Sequence, residues 1–323
     1  MNVDRKPILS VVICTFNRSD DLARAMDSVL AQDGVGEIAC ELIVVDNRST
    51  DDTEQVCRSR MQSAPVPVRY AREEKQGLSH ARNRGWREAH GEYVVYPDDD
   101  AQADAGWLRC AMNIIENEKP LAFGGPFFPF YLDGRPVWFR DEWGTRTLGD
   151  QPRWLTREED LSGGNMTIRR DVLERVGGFD PRRGMRGCHV AYGEETLLQR
   201  QIYEGLPSQR CIYYHPDFSI RHRVRPAKFT LRWRMREIYN RELSHVMIRN
   251  TQAVRQVQWW RLLRSLLVAM VDLALNFGWR WRRRDRARYP HAMTWFYEEG
   301  LKPVGWFGRA AAWWELRRGG VGS

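Results

Sequence analysis

Three consecutive carboxylates, Asp98, Asp99 and Asp100, stand directly after the apolar run Tyr93-Val94-Val95-Tyr96 and the turn-forming Pro97. Acids packed this closely repel one another unless a cation offsets them, and hard divalent cations take oxygen ligands of this kind. Asp46 ends a second apolar run, Leu42-Ile43-Val44-Val45. In an open α/β sheet, ligands bind just beyond the carboxyl ends of the strands. Two acidic strand ends within the first hundred residues therefore predict one site that takes a nucleotide together with a divalent metal. The competing reading makes the cluster a solvated turn capping a helix that starts near Ala103, and Asp46 a simple turn former.

The elements that must position these acids can be read along the chain. Ile8 to Cys14 is short and rich in β-branched residues, which fits a strand buried on both faces of a parallel sheet. A helix is predicted next, capped by Ser19 or Asp20, because Leu22, Ala25, Met26, Val29 and Leu30 recur at spacings of three and four. The strand ending at Asp46, a helix entered through Ser49 to Thr53, and a strand from Val68 to Ala71 complete a βαβαβ run. Gly77 to Gly85 opens a further helix before the strand Tyr93 to Tyr96.

Beyond the acids, a helix from Trp107 to about Asn117 and a strand from Leu121 to Pro126 are predicted, and the Pro- and Trp-rich stretch Phe127 to Leu155 reads as a long loop near a site. Gly163-Gly164-Asn165 leads into a short helix that ends at Gly177-Gly178-Phe179-Asp180. Glu194 and Glu195 fall in the first turn of another helix, where the macrodipole favours negative charge. Two strand-like segments then lead to His222, which sits between Arg221 and Arg223.

Charge is divided unevenly over the 323 residues. Residues 1 to 220 carry 28 Lys and Arg against 35 Asp and Glu, whereas residues 221 to 288 carry 18 against 4, so the net charge of +8 belongs to the C-terminal third. That third also holds nine of the fourteen tryptophans. A cationic, aromatic segment suits a membrane surface or a nucleic acid, but the acidic main body argues against a nucleic-acid partner. Six cysteines (Cys14, Cys40, Cys57, Cys110, Cys188 and Cys211) show no CxxC pair, and the apolar stretch Ile8 to Cys14 is far shorter than a spanning helix and runs straight into Thr15-Phe16-Asn17-Arg18 as a strand entering a loop, so no signal peptide and thiols in a reducing compartment are expected.

Taken in order, Thr15-Phe16-Asn17-Arg18, Val45-Asp46-Asn47-Arg48-Ser49-Thr50-Asp51-Asp52-Thr53, the aspartate cluster, and Gly177-Gly178-Phe179-Asp180 followed by Gly193-Glu194-Glu195 resemble the inverting glycosyltransferases of family two, over roughly residues 8 to 245. The resemblance implies a GT-A fold, an α/β architecture with a mostly parallel central sheet flanked by helices, here with a helical, amphipathic C-terminal extension. It implies a nucleotide-sugar half over 1–105, an acceptor half over 106–224, and the extension over 225–323. It further implies that Asp100 holds Mn²⁺ or Mg²⁺, that Asp98 faces the ribose or the metal shell, and that Asp99 lies beside the nucleotide. Asp46 would accept a hydrogen bond from the donor base, with Thr15, Phe16, Asn17 and Arg18 lining the same pocket and Arg82 beside the base and phosphates.

The family's Glu-Asp pair at a helix start supplies the base that takes the acceptor proton, and here it is Glu194-Glu195. The second acid is the preferred base, with the choice between the two open. His222 resembles a histidine brought to the metal or diphosphate, and Gly164 and Asn165 resemble residues beside the donor sugar and acceptor. The implied activity moves a sugar from a nucleotide-sugar, a uridine diphosphate sugar by preference, to a hydroxyl of a glycan or polyprenyl-linked acceptor at the cytoplasmic face of the membrane. Two other classes compete: a nucleotidyltransferase, which would need a Gly-rich phosphate loop that Thr15 to Arg18 does not provide, and a non-catalytic adaptor acting through the basic tail.

Within that tail, Trp259, Leu263, Leu266, Met270, Leu273 and Phe277 repeat at spacings of four and three, while Arg261, Ser265, Asp272 and Asn276 fall on another face. An amphipathic helix follows, with Asp272 too costly at the centre of a clean span. Peripheral membrane contact through 225–323 is one expectation. Packing of the apolar stripe on the catalytic domain or on a second copy is the other, and the sequence sets no oligomeric state.

Overall fold

A strand covered on both faces must send alternate residues into two cores, and the first strand does this. In the computed structural model, which describes residues 6–182, 193–205, 210–249 and 259–319, β1 (Leu9–Thr15) points Leu9, Val11 and Ile13 into one apolar core and Val12 into another. The first core takes α1 (Ser19–Leu30), part of α2 (Thr53–Met61) and α4 (Trp107–Asn117); the second takes α3 (Leu78–Glu88), α5 (Arg170–Val176) and α6 (Glu194–Gly205). Helices therefore flank both faces of the sheet.

The eight-stranded sheet has the order β3-β2-β1-β4-β9-β6-β10-β8. Its strands are β1, β2 (Cys40–Asp46), β3 (Val68–Arg72), β4 (Tyr93–Pro97), β6 (Ala122–Gly124), β8 (Arg153–Trp154), β9 (Asn165–Arg169) and β10 (Ile212–Tyr214). The pairs β1–β2, β2–β3, β1–β4 and β6–β10 are parallel; β9 runs antiparallel between β4 and β6, and β8 antiparallel to β10. A smaller sheet, β5-β11-β7, is built from β5 (Ala101–Ala103), β7 (Phe127–Phe130) and β11 (Ile220–Arg223). The turn after the aspartates thus enters a strand, and the next helix starts at Trp107, so the acids do not cap a helix near Ala103.

The cap expected at Ser19 or Asp20 is supplied across the fold. α1 begins at Ser19, whose N–H is accepted at 2.9 Å by the Asp51 carboxylate from the loop before α2. A tertiary contact here does the work that a local side chain performs at most helix starts. Five cysteines, Cys14, Cys40, Cys57, Cys110 and Cys211, are free thiols; Cys188 and most of the Arg/Gly-rich stretch after Pro181 lie outside the described residues.

Residue contacts divide the chain into two units. One comprises Met1–Phe130, Gly144–His189 and Glu194–Arg223 and holds both sheets; the other comprises Tyr131–Trp143, Val190–Gly193 and Val224–Ser323. The stretch Phe127 to Leu155 is not a plain loop. It contributes β7 and β8 to the first unit, while Phe139 joins Val224 and Tyr297 in the core of the second, with Trp138, Trp143 and Phe229 against them. No period betrayed this core because three or four aromatics on an irregular segment suffice to fill it.

The second unit contains α7 (Leu231–Arg249), α8 (Trp259–Leu275) with a π-turn over Asn276–Arg280, α9 (Ala292–Trp295) with a π-turn over Phe296–Gly300, and α10 (Lys302–Gly319). Helix α10 packs on α7 and α8. At Gly308 a Cβ would lie 2.3 Å from the Tyr239 carbonyl oxygen, so glycine permits the close crossing with α7. The apolar stripe of α8 is turned away from its own unit. Ser265, Ala269 and Asn276 are buried, while Trp259, Leu263, Leu266, Met270, Leu273 and Phe277 are exposed.

Gly125, between β6 and β7, lets the β10–β11 connection pass directly over it: an added Cβ would fall 1.9 Å from the Phe218 carbonyl oxygen and 2.7 Å from that of His215. Both obstacles are backbone, which cannot swing aside. Gly125→Ala is expected to destabilise the protein by about 1–3 kcal/mol or more, read as a lower melting temperature in a thermal scan. An unchanged melting temperature would mean that this crossing is not tightly packed.

Candidate active site

The acidic strand ends meet at one edge because parallel strands keep their carboxyl ends together. Thr15 pairs with Asp46, Asp46 with Arg72, and Cys14 bridges to Asp98. His222 arrives from far along the chain through the small sheet, where β11 pairs antiparallel with β5 and sets His222 opposite Ala101, the residue after Asp100. Its Nε2 then lies 3.1 Å from Asp100 Oδ1 and 3.4 Å from Asp98 Oδ2. Asp98, Asp100 and His222 each offer a ligand atom, all within 4.8 Å of one another. Two carboxylates and an imidazole fit a divalent cation.

Asp99 is turned away from this group. Its Oδ2 accepts from the Thr15 hydroxyl at 2.9 Å and its Oδ1 from Arg18 at 2.7 Å, while the same guanidinium reaches Asp100 at 3.4 Å. Burial pushes Asp99 up to about 6, with Arg18 pulling the other way and Asp100 adding to the rise. Asp98 behaves oppositely: although burial works to raise it, His222, Arg82 and Arg18 hold it below the usual carboxylate range. Thr15 and Arg18 are thus committed to the acidic turn, and Arg18 is its local counter-charge.

Arg82 is not a solvated charge. Only 3% exposed, it donates to Glu194 Oε1 at 3.0 Å and to the Gly163 carbonyl at 3.1 Å, lies 3.9 Å from Asp98 Oδ1, and rests over the rings of Phe179 and Tyr96. Glycines make room for this group. A Cβ on Gly163 would meet Arg82 at 3.0 Å, and one on Gly164 would lie 2.1 Å from Asp98 Oδ2. The Gly163-Gly164 pair lets two charged side chains approach the backbone closely.

Glu194 is buried and Glu195 partly so, each with an Oε2 that has no hydrogen-bond partner among the described residues. Burial, with the Glu195 charge adding to it, pushes Glu194 up to about 8 against the pull of Arg82. Through Arg82, the first turn of α6 is joined to the acidic turn after β4, two segments about a hundred residues apart in sequence.

Asp46 is almost fully buried. Its Oδ1 accepts from the Ser49 N–H at 2.7 Å, and its Oδ2 from the Tyr70 hydroxyl at 2.6 Å and Arg72 at 3.3 Å. Tyr70 and Arg72 had not been singled out in the sequence. Their signal was the period of two along β3, which puts both on the face that meets the end of β2. Asn17, in the left-handed region at φ 52°, accepts from the Thr50 N–H at 2.8 Å and so ties the loop after β1 to the loop after β2, while Phe16 beside it is partly exposed.

Asn165 requires a correction. It is 0% exposed, its Oδ1 accepts from Trp107 Nε1 at 3.1 Å, and its Nδ2 donates to the carbonyls of Phe218 at 2.6 Å and Pro126 at 3.3 Å. Fully buried, it fastens the start of β9 to α4 and to the chain entering β11. Gly164, by contrast, lies against Asp98 itself.

Comparison with known proteins supplies the family. The model of "Glycosyl transferase family 2" matches residues 10–177. The glucosyl-dolichyl phosphate glucuronosyltransferase of Haloferax volcanii is 25% identical over 231 residues, 70% of this chain and 72% of that protein. A GalNAc(5)-diNAcBac-PP-undecaprenol beta-1,3-glucosyltransferase of Campylobacter jejuni is 36% identical over 120 residues, only 36% of this chain and 38% of that protein. Among solved structures, a mannosyltransferase from Pyrobaculum calidifontis in complex with GDP-Man and Mn²⁺ superposes with a TM-score of 0.63 at 19% identity, covering 97% of this chain and 88% of that chain. S. aureus TarS 1-349 in complex with UDP-GlcNAc superposes with a TM-score of 0.54 at 15% identity, covering 96% and 92%. At such identities these neighbours establish the fold, and the family model, matching just over half of the chain, establishes the rest: the protein belongs to glycosyl transferase family 2 and is a glycosyltransferase with the GT-A fold.

Proposed function

We propose that the protein transfers a sugar with inversion from a nucleotide-sugar, with uridine as the base, to a hydroxyl of a glycan or lipid-linked acceptor at the cytoplasmic face of a membrane. The observation that carries this reading is the joining of two half-sites. A divalent-cation ligand set of Asp98, Asp100 and His222 is linked through buried Arg82 to the carboxylates at the start of α6. A Mn²⁺ or Mg²⁺ held by those three residues would neutralise the donor's diphosphate and make it a better leaving group.

The chain's own residues do the remainder. Asp46, fixed by Ser49, Tyr70 and Arg72, keeps a lone pair on Oδ1 for the imide N–H of the base. Asn17 holds the two loops around that pocket in register. Glu195 takes the acceptor's proton as the hydroxyl oxygen bonds to the anomeric carbon, and the electron pair of the breaking C–O bond leaves on the diphosphate. Glu194 is pinned to Arg82, which leaves its neighbour as the base. The relatives whose names specify dolichyl phosphate and undecaprenol carriers support a lipid-linked acceptor here, and the basic extension 225–323 supports work at a membrane surface.

Asp100→Ala and His222→Ala are expected to abolish the metal-dependent thermal shift by nucleoside diphosphates. Glu195→Gln is expected to keep that shift and lose roughly 10²–10⁴-fold in kcat. A larger loss from Glu194→Gln than from Glu195→Gln would exchange their roles, and retention of the configuration of the donor's anomeric carbon in the product, read by NMR, would rule out a single displacement. If the wild-type protein neither binds nor hydrolyses any nucleotide-sugar with Mn²⁺, the reading fails.

Because the Glu194 carboxyl titrates higher in the folded protein than its usual 4.5, the folded chain holds a proton that the unfolded chain has released. Its contribution to stability is complete below about pH 4.5 and is lost as pH rises through about 8. Glu194→Gln, which has no proton to release, is expected to flatten the fall in urea-unfolding free energy between about pH 5 and 8. An equally steep fall in the variant would place the titration elsewhere.

A further inference from the structure

Helix α8 is inside out for a protein surrounded by water. A surface helix of a water-soluble domain turns its apolar stripe inward and its polar face to solvent. Here Ser265, Ala269 and Asn276 are buried, and Asp272 is held by Trp306 Nε1 at 3.1 Å and by Arg280 at 3.2 Å. The opposite face is left outward, with Leu263 60%, Leu267 63%, Met270 65% and Phe277 57% exposed. Single exposed hydrophobics are ordinary, but a continuous row along a whole helix marks an interaction surface.

The charges around the row identify its occupant. Between Ser265 and Trp279, Asp272 is the sole ionisable residue, and its carboxylate is tied inward. Arg261 and Arg264 flank the N-terminal end of the row, Arg280, Arg282, Arg283 and Arg284 follow it, and Arg283 and Arg284 stack on Trp279 and Trp281. Cations at both ends of an apolar stripe, with indoles at its border, match the anionic headgroups and acyl boundary of a lipid surface. A second copy of the chain would offer like charge to like at both ends.

The segment Trp259–Arg280 is also long and apolar enough to cross a bilayer. Its packing argues for another placement. One side of α8 is occupied by α10, the contact runs along the helix, and Asp272 is satisfied there by Trp306 rather than stripped of partners in hydrocarbon.

We propose that the outward face of α8 lies in the plane of an anionic membrane, with Leu263, Leu267, Met270 and Phe277 in the acyl boundary and the flanking arginines on lipid phosphates. This deepens the reading of a membrane-face enzyme given above and rests on it only for its biological setting, since lipid binding is measurable without any sugar transfer.

The test uses the full chain and sedimentation with vesicles of phosphatidylglycerol and phosphatidylcholine mixed, against phosphatidylcholine alone. Wild-type protein should bind the anionic vesicles, and Leu267→Glu with Met270→Glu should weaken binding by about ten-fold or more with an unchanged melting temperature, because both side chains are already exposed. Arg282→Glu with Arg283→Glu should weaken binding at low salt and reduce its salt dependence. Alkaline carbonate should release the bound protein. No vesicle binding by wild type, equal binding by the Leu267/Met270 variant, no preference for the anionic lipid, or retention in carbonate would each overturn the proposal. So would a lipid-free dimer by sedimentation velocity that the Leu267/Met270 variant converts to monomer without any vesicle binding by wild type. Vesicle binding as expected without any nucleotide-sugar turnover would sink the transfer reading and leave the lipid surface standing.

Discussion

The buried guanidinium of Arg82 is the constraint on which the site depends. A cation taken out of water must be met on nearly all sides, and removing one partner of such a group typically costs about 3–5 kcal/mol. Here the partners come from three places: an oxygen of the Glu194 carboxyl group, the Gly163 carbonyl and, farther off, Asp98, with two aromatic faces closing the pocket. Satisfying this one side chain fixes the start of α6 and the turn before β9 relative to the end of β4. The start of α6 and the end of β4 carry the carboxylates of the two half-sites.

The same economy governs the acidic turn. Three adjacent aspartates cannot all face one cation, and the backbone turn sends the middle one the other way. Arg18 answers Asp99 and part of Asp100 from the β1 loop, leaving Asp98 and Asp100 to converge with His222. Opposite shifts in Asp98 and Asp99 follow from this division, since one gains cationic neighbours faster than burial penalises it and the other does not. The glycines beside them serve distance rather than flexibility: Gly164 is where a carboxylate rests on backbone.

In the helical unit, polarity is arranged for a different solvent. Small and polar residues of α8 fill the seam with α10, and Asp272 finds an indole N–H and a guanidinium within it. The aromatic mass of the unit is split between an internal cluster around Phe139 and Tyr297 and the outward rim near Trp279. Composition alone gives both groups the same weight, although one is core and the other surface.

Sequence by itself determined the local periods and the ends of the strands. β-branched runs, helical spacing of apolar residues and acids after strands follow from short-range sterics and burial, so β1, α1, β2, β4 and the acidic turn could be placed within a residue or two. Asp46, Asp98 and Asp100 shared an edge already on paper, because parallel strands leave no other arrangement. Tertiary structure alone decided what depends on partners distant in the chain. It buried Arg82 against Glu194 and the Gly163 carbonyl, gave Asn165 to Trp107 and the β11 approach instead of to ligand, and brought Tyr70 and Arg72 to Asp46. It also turned the stripe of α8 outward. A helical period states that a helix has two faces; which face meets protein is settled only by the energy of packing against the neighbours it finds.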